Sequence, residues 1–471
     1  MKRSKRLSVL FGILVLVCAA TFAVTRFEER KEQIKSSGET VLEVPVEDIQ
    51  SLRWEYGGTT LSFHKEGIWL YDDDESFPVD EEKIRRLLEP FEAFGVSFII
   101  EDVSDYGMYG LDAPECTIWF ETETQSYQID LGDFSSMDQE RYISLGDGNV
   151  YLAKADPLDQ FDVALRDLIC HDEDLAYEEI SQIKFEGAEN YTIFYEEESP
   201  SAYCADDVYF TEKDGKTLPL DTDWVGNYLE TLTTLNPSDY VTYNVTEEEL
   251  ASYGLDQPEL KVTVDYTAKD ENGAAASDTF TLSISQNPEE LAAAEAVEAK
   301  GEEPEEVTGY IRIGDSQIVY QISAYTCKQL LAVSYNNLRH WEVLSADFED
   351  VYQLDISLEG KDYTIAADGE KDGERVWKYQ EEEIDFSHLQ NELAGLRSGG
   401  TGKFSVEGSA GKEEIRLTVW LENENQPQVE IELYRYDGSD CLAKVDGETF
   451  ALVSRSDVVD LMEAVNAIVL N

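Results

Sequence analysis

The chain has 471 residues, 42% of them hydrophobic and 11% aromatic, more apolar material than one core of ordinary size uses and enough for about three domains. Its 100 Asp and Glu against 36 Lys and Arg give a formal charge of -64. Such a field repels nucleic acid and anionic membrane surfaces, which need basic side chains to neutralise phosphate, so no nucleic-acid partner is expected and most of the acids serve as a solvated surface.

At the amino terminus MKRSKR precedes LSVLFGILVLVCAATFAVT, an uncharged run over residues 7–25. At about 1.5 Å per residue it reaches roughly 28 Å, close to a bilayer core. Lys2, Arg3, Lys5 and Arg6 before it orient that end toward the cytoplasm and the acidic body outside. The expectation is a signal-anchor: a basic tip and transmembrane helix over 1–25, a polar stem over 26–42, and an extracytoplasmic bulk on a single-pass membrane protein. A cleaved signal peptide is the alternative, but the run exceeds the roughly 7–15 apolar residues usual there and shows no clean A-x-A site. Val17 is a poor fit just before a lipoprotein cysteine at Cys18.

Beyond the stem, four signatures recur in one order, which sets the architecture before any local assignment. An acidic pair leads into a short strand at Glu47-Asp48-Ile49, Glu178-Glu179-Ile180 and Glu349-Asp350-Val351, and period-two alternation follows in TTLSF, YTIFY and YTIA. A helix start comes next in FPVDEEKIRRLL, LPLDTDWVGNYL and EIDFSHLQNEL. There Asp80, Asp221 and Asp385 are expected to cap first-turn N–H groups.

The third signature is YGLDAPE at 109–115 and YGLDQPE at 253–259, each running into a strand that begins with Glu115 or Glu259; Glu414 begins the corresponding strand without the phrase. It reads as a structural corner: Gly110 and Gly254 permit the turn, Pro114 and Pro258 stiffen entry to the strand, and Tyr109, Leu111, Tyr253 and Leu255 pack it onto the core. The fourth is a hairpin with glycine at its tip, in YISLGDGNVY, YIRIGDSQIVY and CLAKVDGETF, followed each time by an expected terminal helix.

The expected fold is thus α+β, three tandem repeats of a small antiparallel sheet with packed helices behind the amino-terminal anchor. The units run over 43–172, 173–342 and 343–471, the last divergent. The second carries an acidic Ala/Glu-rich insertion at 286–307, which has no apolar face and reads as a solvated helix or a disordered stretch.

The YGL-x-x-P corner, the G-D hairpin, and Arg166-Asp167-Leu168 and Asn336-Asn337-Leu338 after the following helices resemble the bacterial domain-of-unknown-function family 4340. The resemblance covers residues 43–342 and, weakly, the rest. It implies a membrane-associated protein of the cell envelope beside a gliding-type ABC transport system, with ABC transporter or envelope proteins as partners; it implies no catalytic residue.

No catalytic motif emerges from the residues themselves. SGGTGKF at 398–404 has Phe404 where a phosphate loop needs Ser or Thr, and reads as a connecting loop. Asp270-Glu271-Asn272-Gly273 lacks the flanking carboxylates of a calcium loop, which leaves only loose calcium binding by acids such as Asp72-Asp73-Asp74-Glu75. The histidines His64, His171, His340 and His388 are scattered, and His171 and His340 suit a structural role at unit junctions. Cys116, Cys170, Cys204, Cys327 and Cys441 form no C-x-x-C and are expected to be free thiols. No cofactor and no metal are expected. The functional expectation is a noncatalytic accessory or assembly component of a transport or envelope complex. The alternatives are an envelope hydrolase with paired carboxylates and a module binding cations or cell-wall polymer.

Overall fold

A computed structural model of the protein describes residues 38–101, 103–269, 273–371, 374–406 and 411–470. The alternating segments run out as antiparallel strands gathered into three sheets of nine, nine and eight strands. In the first sheet the order across the sheet is Glu39–Leu42, Phe94–Ile100, Val150–Ala153, Glu140–Ser144, Ser126–Ser135, Cys116–Thr122, Ile49–Tyr56, Thr59–Glu66 and Ile68–Tyr71. The second runs Lys216–Pro219, Tyr209–Lys213, Tyr191–Tyr195, Glu179–Gly187, Leu260–Lys269, Ala275–Gln286, Gly309–Ile313, Val319–Ile322 and Tyr240–Thr242. The third runs Glu382–Glu383, Glu374–Tyr379, Lys361–Lys371, Val351–Leu358, Glu413–Leu421, Gln428–Arg435, Asp440–Val445 and Glu448–Ser454. The chain divides after His171 into two compact units, the first sheet in one and the other two in the second.

One plan underlies all three sheets. A short meander comes first, then a helix, then a four-strand meander whose opening strand returns to pair with the opening strand of the first. The acidic-pair strands explain how the plan is written in sequence. Their pairing slips by one residue between Ile49 and Ser51, between Ile180 and Gln182, and between Val351 and Gln353. A β-bulge lets residues three apart share a face. Ile49 and Leu52, Ile180 and Ile183, and Val351 and Leu354 are accordingly all buried.

Helices cover the sheets sparingly. Glu81–Leu88 buries Ile84, Leu87 and Leu88; Thr222–Thr233 buries Val225, Tyr228, Leu229 and Leu232; Ser387–Ala394 buries Leu389 and Leu393 against Arg455–Val469. The expectation of small α+β sheets with packed helices is therefore corrected to a sheet-dominated fold of three large antiparallel sheets. The reason is local. PLDQFDVALRDL spaces its apolar residues like a helix, yet it forms only the single turns Leu158–Phe161 and Leu165–Leu168 because Ala164 between them is extended. Ser334 likewise ends the segment after Ala324–Leu331, leaving Tyr335–Leu338 as a separate turn.

The anchor expectation is also corrected. Among the described residues no helix is long and apolar enough to cross a membrane. Residues 7–25 lie outside the described residues, so the transmembrane helix, the signal-anchor and the single-pass extracytoplasmic placement have no structural support and are set aside. The insertion forms a helix, Pro288–Glu298, capped by Asn287 and burying none of its side chains.

Candidate functional site

Both YGLD phrases build the same corner. Tyr106–Tyr109 and Leu250–Tyr253 are single 3-10 turns, closed by Gly110 at φ 70° and Gly254 at φ 71°. Side chains rarely adopt that left-handed backbone. Space is also short: a Cβ on Gly110 would stand 2.8 Å from the Asp133 backbone nitrogen, and one on Gly254 3.2 Å from Ser285 Cβ. Leu111 and Leu255 are buried, and Pro114 and Pro258 are half-buried before their strands. Tyr109 packs 5.0 Å from Tyr142, and Tyr253 5.1 Å from Tyr310, so each corner tyrosine meets the tyrosine that opens its unit's hairpin.

Behind the first corner sits Arg141, 5% exposed. It donates from Nε to Asp156 at 2.7 Å, and from Nη1 to Glu115 and to the Gly132 carbonyl, both at 2.6 Å. Burial alone would lower its pKa, but the hydrogen bonds and charges of Asp156 and Glu115 raise it above the ordinary arginine value.

Two of the three aspartates stand at helix starts in the same way. Asp80 accepts from the N–H groups of Glu82 and Lys83 at 3.0 and 3.1 Å, and Asp221 from those of Asp223 and Trp224 at 3.0 and 3.1 Å. Their own N–H groups donate to the carbonyls of Leu168 at 2.8 Å and Leu338 at 2.9 Å, which gives Arg166-Asp167-Leu168 and Asn336-Asn337-Leu338 a structural task. Asp385 is displaced by one residue. Buried Phe386 takes the capping position, and Asp385 accepts from the Ser387 N–H at 3.0 Å and its hydroxyl at 2.6 Å.

Functional groups converge where Leu338 leads into Arg339-His340-Trp341, between the second and third sheets. His340 Nε2 lies 2.8 Å from Asp207, whose side chain is 1% exposed, and His340 Nδ1 lies 3.8 Å from the capping Asp221. Asp207 also accepts from the N–H groups of Tyr203 at 2.7 Å and Cys204 at 3.1 Å. Burial opposes charge on both partners, but their hydrogen bond and mutual attraction outweigh it, raising the histidine pKa and lowering that of the aspartate.

Cys204, Asp207 and His340 place ligand atoms within 4.8 Å of one another, as do Asp221, His340 and Glu342. The first set suits a hydrogen-bonded tie better than a metal. Burial pushes the Cys204 thiol up to about 12, and the Asp207 carboxylate already accepts three hydrogen bonds. The five cysteines of the described residues are free. Asp72 and Asp73, in the acidic run considered for calcium, bond instead to His64 Nδ1 at 2.6 Å and to the Tyr71 hydroxyl at 3.0 Å.

Beside His340 opens a cavity of about 430 Å³, lined by the hairpin tip of Lys213, Asp214 and Lys216, by Tyr335 and Arg339, and by Phe450 of the third sheet's edge strand. Arg339 packs among rings: the ring centres of Tyr335, Phe404 and Phe450 lie 5.1, 4.7 and 4.6 Å from its guanidinium carbon. Its Nε is buried with no hydrogen-bond partner, and no carboxylate of the described residues is among the groups that act on its charge. Burial lowers its pKa. Phe404 comes from SGGTGKF, which forms the turn Thr401–Phe404 and links the helix Ser387–Ala394 to the next strand.

The scattered histidines and Arg339 gave no local signal of this convergence, because Asp207, Asp221, Phe404 and Phe450, which face them, come from a loop, a helix cap, a turn and a strand far away in the chain. The nearest signal was the basic pair Arg339-His340 beside Trp341 in a strongly acidic chain.

Fold and cavity together define a tandem antiparallel-sheet protein with a cavity at the junction of its second and third sheets. The chain belongs to the family described as domain of unknown function (DUF4340), which it matches over residues 69–247 and again over 211–417. Both matches begin in a strand that precedes a capped helix, Ile68–Tyr71 and Tyr209–Lys213. No curated protein and no solved structure matches the chain.

Proposed function

We propose that the chain is a noncatalytic accessory or assembly component of an ABC-type transport or cell-envelope complex. The observation that carries this reading is the use made of titratable groups at the sheet junction. His340, Asp207 and Asp221 are engaged with one another and with backbone N–H groups in tying segments together, which supports a holding role for this cluster. A hydrolase needs instead an acid and a base left available to substrate. Three sheets of eight or nine strands on one plan offer broad surfaces of the kind a scaffold presents. The association of the family with transport systems, implied by the resemblance, gives the partner class.

The test is mild crosslinking in the native cell, followed by purification through the full-length chain. Recovery of an ABC ATPase or permease, or of one envelope complex in stable ratio, is the expected outcome. Recovery of the chain alone counts against the role. Hydrolysis of a wall polymer by the purified protein, abolished by His340→Asn, would replace it with the enzyme reading.

A further inference from the structure

We propose that the cavity between the second and third sheets binds an organic anion, a carboxylate or phosphate group on a small apolar body, with Arg339 and Lys213 receiving the anionic group. The inference stands apart from the assembly role, since a scaffold that binds no ligand would fail the test below and keep that role.

Charge supplies the first step. In a chain of net charge -64, buried or half-buried arginines can be neutralised by nearby carboxylates. Arg141 has two, Arg416 reaches Glu413, Glu430 and Glu432, and Arg435 reaches Glu414. Arg339 is flanked by three rings and has no ion pair among the described residues. Lys213, on the same cavity wall, also has none; its Nζ sits 4.0 Å from the centre of the Tyr335 ring. Tyr335 is thus shared by both cations, with Lys213 Nζ at 4.0 Å and the Arg339 guanidinium carbon at 5.1 Å from its ring centre. Rings lower the cost of a desolvated cation without neutralising it, so the pair retains its attraction for an anion.

Three carboxylates also reach this cavity, and at least two are engaged. Glu448 pairs with Lys216 at 2.8 Å, and Asp446 accepts the Glu430 N–H at 2.9 Å from its turn. Asp214 stands at the exposed hairpin tip between the two lysines. The rest of the lining is mixed: Leu218, Val343, Val429 and Phe450 are apolar, and Ser345, Gln426 and Thr449 are polar. Cations without a carboxylate partner, together with apolar side chains in the same lining, fit a ligand with a charged head and an apolar body. The space of about 430 Å³ suits a ring-sized molecule. The protein's negative field slows the approach of an anion, but salt confines that field to about 8 Å at physiological ionic strength.

The experiment is calorimetric titration of the full-length protein with benzoate and, separately, phenyl phosphate, against phenol and sodium chloride at matched ionic strength. Binding of benzoate or phenyl phosphate, with phenol and chloride much weaker, is the expected result; whichever of the two binds names the anionic group. Lys213→Gln, at the exposed end of its strand, should weaken binding about tenfold, and Arg339→Met by at least as much, while Lys444→Gln, a ring-stacked lysine that does not line the cavity, leaves it unchanged. If Arg339→Met does not fold, Lys213→Gln decides alone. No binding beyond chloride, equal binding of phenol, or binding indifferent to Lys213→Gln would each overturn the proposal.

Discussion

Arg141 and Arg339 are two arginines drawn out of solvent in different ways. Arg141 is embraced by Asp156, Glu115 and the Gly132 carbonyl, and its pKa is raised despite burial. Arg339 is embraced by Tyr335, Phe404 and Phe450, and burial lowers its pKa unopposed by any carboxylate. The first charge is cancelled where it stands and locks a corner. The second is sheltered and left uncancelled, which is how a protein keeps a cation ready for something that is not part of itself.

The sharpest way to break this contrast is to remove each guanidinium. Arg141→Met leaves Asp156 and Glu115 without their shared partner and is expected to cost about 3–5 kcal/mol, read as lost hydrogen-exchange protection in the strands around 116–144. Next in size is the corner itself. Gly110→Ala combines left-handed strain with a clash against the Asp133 backbone and should cost about 2–3 kcal/mol, whereas Gly57→Ala, at φ 58° with open space around it, should cost about 1 kcal/mol in the same measurement. Arg339→Met should then cost about 1 kcal/mol or less, because it strands no carboxylate and an aliphatic chain still fills the ring cage. A loss as large as that of Arg141→Met would end the contrast.

The smallest expected effect is a pH slope from the neighbouring His340. Its pKa is raised above 6.5 by Asp207, Asp221 and Glu342 against the opposing effect of burial. Its contribution is therefore complete below 6.5 and is lost as pH climbs through the higher folded value. The matching contribution of Asp207, whose pKa is lowered, is lost at the acid end as pH falls through that depressed value. The denaturation midpoint of the native protein minus that of His340→Asn should shrink as pH rises above about 6.5. A constant difference would show that the pair carries no charge-linked stability.

Much of the scaffold is readable from local patterns because its rules are local. A left-handed position with other atoms close by favours glycine, so Gly110 and Gly254 mark their corners. Asp80 and Asp221 announce helix starts because a short acceptor just before an apolar periodicity has few other uses. Asp385 misleads by one residue, since nothing local says that Phe386 will be buried. The spacing of Leu158, Phe161, Leu165 and Leu168 misleads about helix content, because apolar residues three or four apart serve equally for consecutive turns joined by an extended Ala164. The junction cavity is not readable at all. His340 meets Asp207 across 133 positions, and Phe450 reaches Arg339 from the last strand of the third sheet; no periodicity encodes which sheet ends will face each other.

The helix Pro288–Glu298 buries nothing, yet its base is closed: the Asn287 N–H donates to the Thr308 carbonyl at 2.9 Å, and Gln286 pairs with Gly309 in the adjoining strands. The sheet is therefore finished before the excursion begins. An epitope, a fluorophore or a small folded tag spliced between residues 298 and 307 would ride on the surface without shifting strand register, giving a handle by which the chain's neighbours in the cell can be mapped from a known point.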